Sequence, residues 1–486
     1  MKLNELVAAF VTIKSAQEIT GIAVDSRQVQ KNNAFFAVAR ETGHGLAHGE
    51  QALALGASAI IYDPAAGGAA FATALENRGV TLIAIADLQS KLATLAAHFY
   101  GDPAKSLTII GITGTNGKTS CSQFLAQILP DTMVIGTLGW GSWGQMQSTG
   151  YTTPNALVLQ QILAKSLALS KTNVVMEVSS HSVPEGRIEH TLFKGAVFTN
   201  LSRDHLDYHG TMDDYFHAKL ALFQRPELAF AVINQDDAYG EKIIAALSPT
   251  VQLWTFSKTA QTAENCVLAK NPYCDITGIG FEACYAGQSV KIRSSLYGAF
   301  NIENLLAVIT TLLALGFDLA TAAQKVMALK PVVGRMEQFG GKDKPSVFVD
   351  FAHTPDALEK ALASVKQHQP QKLWVVFGCG GNRDQGKRAL MGGIAQKWAD
   401  NIILTDDNPR FEDSQAILSD ILAGCQTDKV TVISDRAAAI AYAIEQAAAG
   451  DCVLIAGKGH EAYQEICGVQ TPFSDQAVVQ QALQLP

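Results

Sequence analysis

Short apolar runs recur along the chain with helix-spaced segments between them, and their spacing divides it into three parts. From Gly21 to Asp87 the runs FFAVA, SAIIYD and TLIAIAD, separated by an alanine-rich segment, predict a small α/β domain ending near residue 90. A helix is predicted from Leu88 to Tyr100, and the strand LTIIGIT (107–113) then opens directly into a glycine-rich loop and an apolar-periodic helix. Further buried-strand candidates, NVVMEV (173–178), GAVFTN (195–200) and FAVIN (230–234), alternate with helices as in a doubly wound nucleotide-binding sheet. Residues 251–297 break this rhythm: QLWTFS, CDITGIGFEAC and VKIRSSL read as a run of antiparallel strands, followed by two helices up to Lys330. Beyond Pro331, VFVDFA, LWVVFG, NIILTD, VTVIS and CVLIAG alternate with helices as in a Rossmann-like domain. The expected architecture is α/β in three domains, residues 1–90, 91–330 and 331–486. The central one is a P-loop ATPase-like doubly wound sheet with an antiparallel β extension.

Composition agrees with packed cores, because 48% of the 486 residues are hydrophobic and 17% charged. The 45 acidic against 37 basic residues leave a net charge of −8, which argues against nucleic-acid or anionic-membrane binding through bulk charge. Local basic sites for phosphate stay open. No run approaches the roughly 18 apolar residues of a membrane span, and MKLNELVAAF lacks a basic start leading into a long apolar core, so a cytoplasmic protein is expected. Eight scattered cysteines without a C-x-x-C pair predict free thiols, mostly buried, rather than disulfides or a zinc site.

The segment GITGTNGKTS (111–120) follows a strand and precedes a helix, where successive backbone N–H groups and a helix N-terminus can cradle polyphosphate. Lys118 would neutralise the β- and γ-phosphates and the Thr119 hydroxyl would reach Mg²⁺. The first glycine, Gly111, lies one residue earlier than the strict Walker spacing, so the loop is a variant. By itself it would suit a motor, a kinase or a transporter ATPase equally well.

This form of the loop resembles that of the Mur ligase family, and nine further segments agree in the family's order. They are DSR (25–27), YTTPNAL (151–157), MEVSSH (176–181), NLSRDHLDYHGTMDDYFHAKLALF (200–223), GRME (334–337), DFAHTPDAL (350–358), GCGGNRDQGKR (378–388), and TDDNPR (405–410) with AGKGHEAYQ (456–464). Local departures are Asn32 for a glycine, TGHGL (42–46) for a more acidic stretch, Phe351 for tyrosine and Asn382 for aspartate. Asn tolerates left-handed backbone angles, so the first change is expected to be silent.

The resemblance implies an ATP-dependent ligase that adds meso-2,6-diaminopimelate to UDP-N-acetylmuramoyl-L-alanyl-D-glutamate through an acyl phosphate, acting as a monomer. It assigns the nucleotide to Gly114, Thr115, Asn116, Gly117, Lys118, Thr119 and Ser120, with Asn301 and Asn304 near the adenine and Arg335 and Asp350 near phosphates and ribose. Lys118, Glu177, His205 and Lys219 are the implied catalytic residues. Thr119, Glu177, His205 and Lys219 would hold Mg²⁺, with Lys219 carbamylated by CO₂. Without the resemblance, His205 would read as a core histidine and Lys219 as a solvated helix lysine. The first domain is the implied UDP-substrate domain. Ser26, Arg27, Thr152, Thr153, Ser179 and Arg187 are assigned to that substrate. Arg383, Asp407, Asn408, Arg410, Gly457 and Glu461 of the C-terminal domain are assigned to the amino acid.

DNPR (407–410) bears most on specificity. Diaminopimelate has a distal carboxylate that lysine lacks, and a planar guanidinium binds such a group with two parallel hydrogen bonds, which points to Arg410. Asp407 and Asn408 would accept from or orient the distal ammonium. Competing readings are a relative adding lysine or D-alanyl-D-alanine, a folylpolyglutamate synthetase, a P-loop ATPase of another class, or a nucleotide-binding regulator without catalysis.

Overall fold

The computed structural model describes residues 1–40, 43–259, 265–275, 277–425 and 429–485. Thr42 of the TGHGL segment and Ile276 of the expected antiparallel run lie outside them. Two compact units are present: one of residues 1–111, 129–196 and 218–228, the other of residues 112–128, 197–217 and 229–486.

In the first unit, Gly21–Ala23, Asn33–Ala37, Ala59–Tyr62 and Thr81–Ala84 form a four-stranded parallel sheet in that order. Asn32, just before the second strand, has φ 64°, the left-handed value that makes asparagine an acceptable substitute for glycine. Helix Leu88–Phe99 buries Leu88, Leu92, Leu95 and Ala96, a one-face stripe at i, i+4, i+7 and i+8, in a cluster with Ile83, Ile85 and Leu157. Strands of a larger sheet follow in the order Gln145–Gln147, Gly139–Ser142, Thr132–Gly136, Asn173–Glu177, Thr108–Thr113 and Phe193–Phe198. The first two form an antiparallel edge on Thr132–Gly136, which pairs parallel with Asn173–Glu177.

In the second unit, Phe230–Asn234, Gln252–Ser257, Cys266–Asp275, Gly278–Tyr285 and Gln288–Ser294 are neighbours in that order. The expectation that QLWTFS begins the antiparallel run is corrected here. Gln252–Ser257 pairs parallel with both Phe230–Asn234 and Cys266–Asp275, and only the last three strands are antiparallel. The reason lies in the connection: helix Ala238–Ala246 carries the chain back to the start of the sheet, and a crossover of this length joins parallel strands where a hairpin turn would join antiparallel ones.

The C-terminal sheet has the order Glu337–Gly340, Ser346–Asp350, Cys452–Ala456, Leu373–Phe377, Asn401–Leu404 and Val430–Val432. All five apolar runs seen in the sequence are its parallel strands, and the polar edge strand Glu337–Gly340 is an antiparallel addition. Both faces are covered, one by Leu358, Leu362, Val365 and Met391, the other by Ile440, Ala443 and Val479. Helix Pro355–Gln367 begins where fixed φ favours it, with Pro355 in its first turn and the Thr354 hydroxyl accepting from Ala357 N at 3.3 Å. All eight cysteines are free, but only Cys121, Cys266, Cys379 and Cys452 are buried, fewer than expected; Cys467 is exposed on a hairpin. Among the described residues no helix is long and apolar enough to cross a membrane.

An ion pair with no exposed surface ties this domain together. Arg436 donates to both carboxylate oxygens of Asp475 at 2.7 and 2.8 Å and to Ala456 O at 3.0 Å. Burial opposes its charge, and Asp475 outweighs that effect, holding the guanidinium above its ordinary pKa. Asp475→Ala, which strands the guanidinium, is expected to lower stability by about 3–5 kcal/mol in urea or thermal unfolding. The pair Arg436→Met with Asp475→Leu should recover a large part of that loss.

Candidate active site

The nucleotide loop is built in the second unit around two glycines. Gly114 has φ +147° and a Cβ there would lie 1.9 Å from Thr199 Oγ1; Gly117 has φ +86° and a Cβ would lie 2.5 Å from Asn304 Oδ1. Only glycine fits either place. The loop is held through its own backbone groups: Thr115 N donates to Asn200 O at 2.8 Å, Asn116 N to the side-chain Oδ1 of Asn200 at 3.0 Å, and the Thr199 hydroxyl to Asn116 O at 2.6 Å. Helix Lys118–Ile128 starts directly after it, so N–H groups of the first turn converge where a polyphosphate is favoured. Lys118 Nζ donates back to Gly114 O and Thr115 O, both at 2.9 Å. Thr119 and Ser120 are buried in the first turn.

The C-terminal domain reaches this loop within the same unit. Arg335 Nη2 donates to Thr119 Oγ1 at 3.2 Å, and Asn116 Nδ2 donates to Asp356 Oδ2 at 2.9 Å. Asp356 also accepts from Ser202 Oγ at 3.1 Å. The Arg335 guanidinium lies 4.6 Å from the centre of the Phe351 ring, whose other neighbours are His353 and His460. The ring that replaces the family's usual tyrosine is thus a platform for a cation, a contact that needs no hydroxyl. Burial pushes His460 down to about 3, with Arg335 and His353 acting in the same direction, so it is neutral at physiological pH. Asp350 is buried, accepts from Met336 N at 2.7 Å, and is raised by that burial against the pull of Arg335.

Asn301 and Asn304 lie buried in the first two turns of helix Phe300–Ala314, not on its surface. Asn301 Nδ2 donates to Tyr297 O at 2.7 Å and Asn304 Nδ2 to Asn301 Oδ1 at 2.8 Å. His205 caps a short helix with φ 52°, a left-handed value costly for histidine; its N–H donates to Asp204 Oδ1 at 2.9 Å and its ring meets the edge of Tyr215 at 6.1 Å. Tyr215 was not singled out from the sequence. It is buried, with its hydroxyl 3.1 Å from Thr115 Oγ1, and burial raises its pKa.

In the first unit, Glu177 ends its strand at 1% exposure, accepting from Thr137 N at 2.8 Å and Thr137 Oγ1 at 3.0 Å. Thr152 Oγ1 lies 3.1 Å from the same Thr137 hydroxyl. Thr153 Oγ1 donates to Glu177 O at 2.8 Å and accepts from Ser179 N at 3.0 Å, while Arg187 Nη1 donates to Thr153 O at 2.8 Å. Thr152, Thr153, Glu177, Ser179 and Arg187 are therefore one connected group. Ser26 and Arg27 are engaged elsewhere in that unit, with Gln51 and Asp25. Lys219 is 2% exposed, which overturns the solvated-helix reading, because so deeply buried an amine cannot be a surface lysine.

The residues that the resemblance assigns to the amino acid gather at the carboxyl edge of the C-terminal sheet, where open α/β sheets hold their ligands. Arg383 follows Leu373–Phe377, Asp407 to Arg410 follow Asn401–Leu404, and Gly457 to Glu461 follow Cys452–Ala456. Gly457 has φ +111°, and a Cβ there would lie 2.5 Å from Asp407 Oδ2. Arg410, with φ 55°, donates from Nη1 to Gly381 O at 2.9 Å and stands 3.5 Å from Glu465 Oε2. Asn382 N donates to Glu412 and its Oδ1 accepts from Phe411 N at 3.1 Å, so the neutral amide avoids a second carboxylate beside Glu412. Sequence reading missed Glu465, Asp356 and Arg436; of these only Asp356 lay inside a quoted motif.

A glycine loop at a strand–helix junction, joined by an arginine from a Rossmann-like domain, defines the class of P-loop nucleotide-dependent α/β enzymes. Residues 18–100 match the Mur ligase family catalytic domain, 112–312 the Mur ligase middle domain and 334–459 the Mur ligase glutamate ligase domain. A UDP-N-acetylmuramoyl-L-alanyl-D-glutamate--2,6-diaminopimelate ligase of Xanthomonas campestris pv. campestris is 46% identical over 489 residues, covering 99% of this chain and 97% of its own. A solved structure of a ligase with the same name superposes with TM-score 0.69 at 35% identity, over 100% of this chain and 99% of its own. At the level of fold alone, the MurF ligase of Thermotoga maritima, solved with ADP, matches with TM-score 0.65 and 18% identity over 90% of this chain and 93% of its own. The chain belongs to the Mur ligase family.

Gly114→Ala is expected to weaken ATP binding by about 100-fold or more in calorimetric titration, because the loop must leave its conformation to admit a methyl group. Thermal unfolding of the variant should show the rest of the protein intact.

Proposed function

We propose that the chain is an ATP-dependent ligase of peptidoglycan precursor synthesis that adds meso-2,6-diaminopimelate to UDP-N-acetylmuramoyl-L-alanyl-D-glutamate. The observation that carries this reading is the 46% identity, across nearly the whole of both chains, with a ligase named for that reaction. Joining a carboxylate to an amine in water is uphill. A carboxylate of the D-glutamyl residue takes the γ-phosphoryl group of ATP, ADP leaves, the amine attacks the acyl phosphate, and the tetrahedral intermediate expels phosphate.

The triphosphate and the carboxylate repel, so catalysis consists mainly of positioning and charge neutralisation. The glycine loop and helix N-terminus cradle the phosphates, Lys118 exchanges its carbonyl partners for phosphate oxygens, and Arg335 adds a second cation at Thr119. Thr152, Thr153, Ser179 and Arg187 receive the nucleotide-linked substrate together with Ser26 and Arg27, and Asn301 and Asn304 shape the adenine side.

Glu177, Thr119 and His205 offer two oxygen donors and an imidazole, and the oxygens suit a hard cation. An ammonium at 219 would repel that cation, whereas a carbamate on Lys219 would supply further oxygen donors from a buried position. Bound Mg²⁺ would neutralise charge on the reacting phosphate. Lys219→Ala is expected to lower kcat on the order of 1000-fold, with partial rescue by a small added carboxylate; full activity of the variant in an ADP-release assay would remove the carbamate role.

At the amino-acid end, Arg410 pairs with the distal carboxylate of diaminopimelate, which lysine lacks. The test is ADP release with the UDP-muramoyl dipeptide present and diaminopimelate, lysine or D-alanyl-D-alanine supplied in turn. Turnover is expected with diaminopimelate alone, and preferred use of either other amine would overturn the reading. Arg410→Ala should lower kcat/KM for diaminopimelate by about 100- to 1000-fold and leave ATP affinity unchanged.

A further inference from the structure

Beneath the amino-acid residues lies a cation that the function described above does not use. Lys458 is wholly buried. Its ammonium donates to Asn408 Oδ1 and to Glu461 Oε2, each at 2.9 Å, and stands 5.6 Å from the centre of the Tyr463 ring. Asn408 is buried as well, and both ends of its amide are committed within the protein. Its Oδ1 also accepts from Glu465 N at 2.9 Å, and its Nδ2 donates to Glu461 Oε2 at 2.9 Å.

Two donors therefore converge on one oxygen of Glu461, while no donor among the described residues reaches Oε1. The Glu461 side chain is 22% exposed, so this second oxygen belongs to a carboxylate that solvent and ligands can approach. A carboxylate pinned through one oxygen presents the other in a fixed direction. Removing either partner of such a pair leaves an uncompensated charge, which ties the lysine to the carboxylate rather than to bulk packing.

We propose that Lys458 is a positioning residue for the amino-acid substrate, holding Glu461 through Oε2, directly and by way of Asn408, so that Oε1 receives an ammonium group of the incoming diamino acid. This rests on the reading of the substrate as a diamino acid. Lys458 itself does not touch the substrate; it decides where the acceptor points. The same unit contains the carboxylate-pairing Arg410, held by Glu465, whose N–H is the second donor to Asn408 Oδ1. The anion and the cation that recognise the two charges of the substrate are thus braced through a single buried amide.

The full-length wild type, Lys458→Gln, Lys458→Met, Glu461→Gln and the Lys458→Gln/Glu461→Gln double variant would be assayed for ADP release. Diaminopimelate and ATP would be varied separately, and folding checked by thermal unfolding. In folded Lys458→Gln, KM for diaminopimelate is expected to rise about 10- to 100-fold with KM for ATP unchanged. Because the lysine acts through the carboxylate, the double variant should be no worse than Glu461→Gln alone. An unchanged KM for diaminopimelate, an equal rise for ATP, or effects that multiply in the double variant would each overturn the proposal. Should Lys458→Met fail to fold, the glutamine variants decide. A wild type that ignores diaminopimelate removes the substrate reading and this proposal with it, whereas a wild type that uses it beside variants of unchanged KM removes the proposal alone.

Discussion

The strand ending at Thr113 delivers the chain into a loop where a side chain at Gly114 would strike the Thr199 hydroxyl and one at Gly117 the amide of Asn304. Those two exclusions leave bare backbone at both positions, and backbone N–H groups are what a polyphosphate needs. Much of the surrounding unit keeps that loop in shape. Asn200 takes and gives hydrogen bonds to it, Tyr215 backs it from below, and Asn304 closes it from the helix that runs through the core.

A second constraint governs the C-terminal domain, where Arg436 and Lys458 are among the cations buried in a protein of net negative charge. Each is held by carboxylates, and each touches a segment that leaves the carboxyl edge of the sheet. Arg436 donates to Ala456 O, immediately before Gly457, and reaches Asp406 O at 3.4 Å, immediately before Asp407. These two segments leave the strands on either side of Leu373–Phe377, so one guanidinium spans the carboxyl edge that bears Asp407 and Gly457. A hydrophobic replacement could pack as well, but it could not fix two carbonyls and a carboxylate in one geometry.

The departures from the family's usual residues become intelligible at the level of contacts. Asn32 occupies a left-handed turn, Phe351 offers a ring face to Arg335, and Asn382 places an uncharged group beside Glu412. The last two could not be weighed from spacing, because each depends on a neighbour distant in the chain.

Periodicity and motif order sufficed for the three-part α/β architecture, the parallel strands of the C-terminal sheet and the glycine loop, since these follow from local apolar patterning and from backbone angles that only glycine accepts. They failed at Gln252–Ser257, where a strand's partner is set by the path of the preceding helix and not by its own residues. They were silent on the burial of Lys219 and on the Arg436–Asp475 and Lys458–Glu461 pairs. A lysine or arginine reads alike in sequence whether it faces water or a carboxylate. Only the folded chain removes the water, and with it the choice of any other partner.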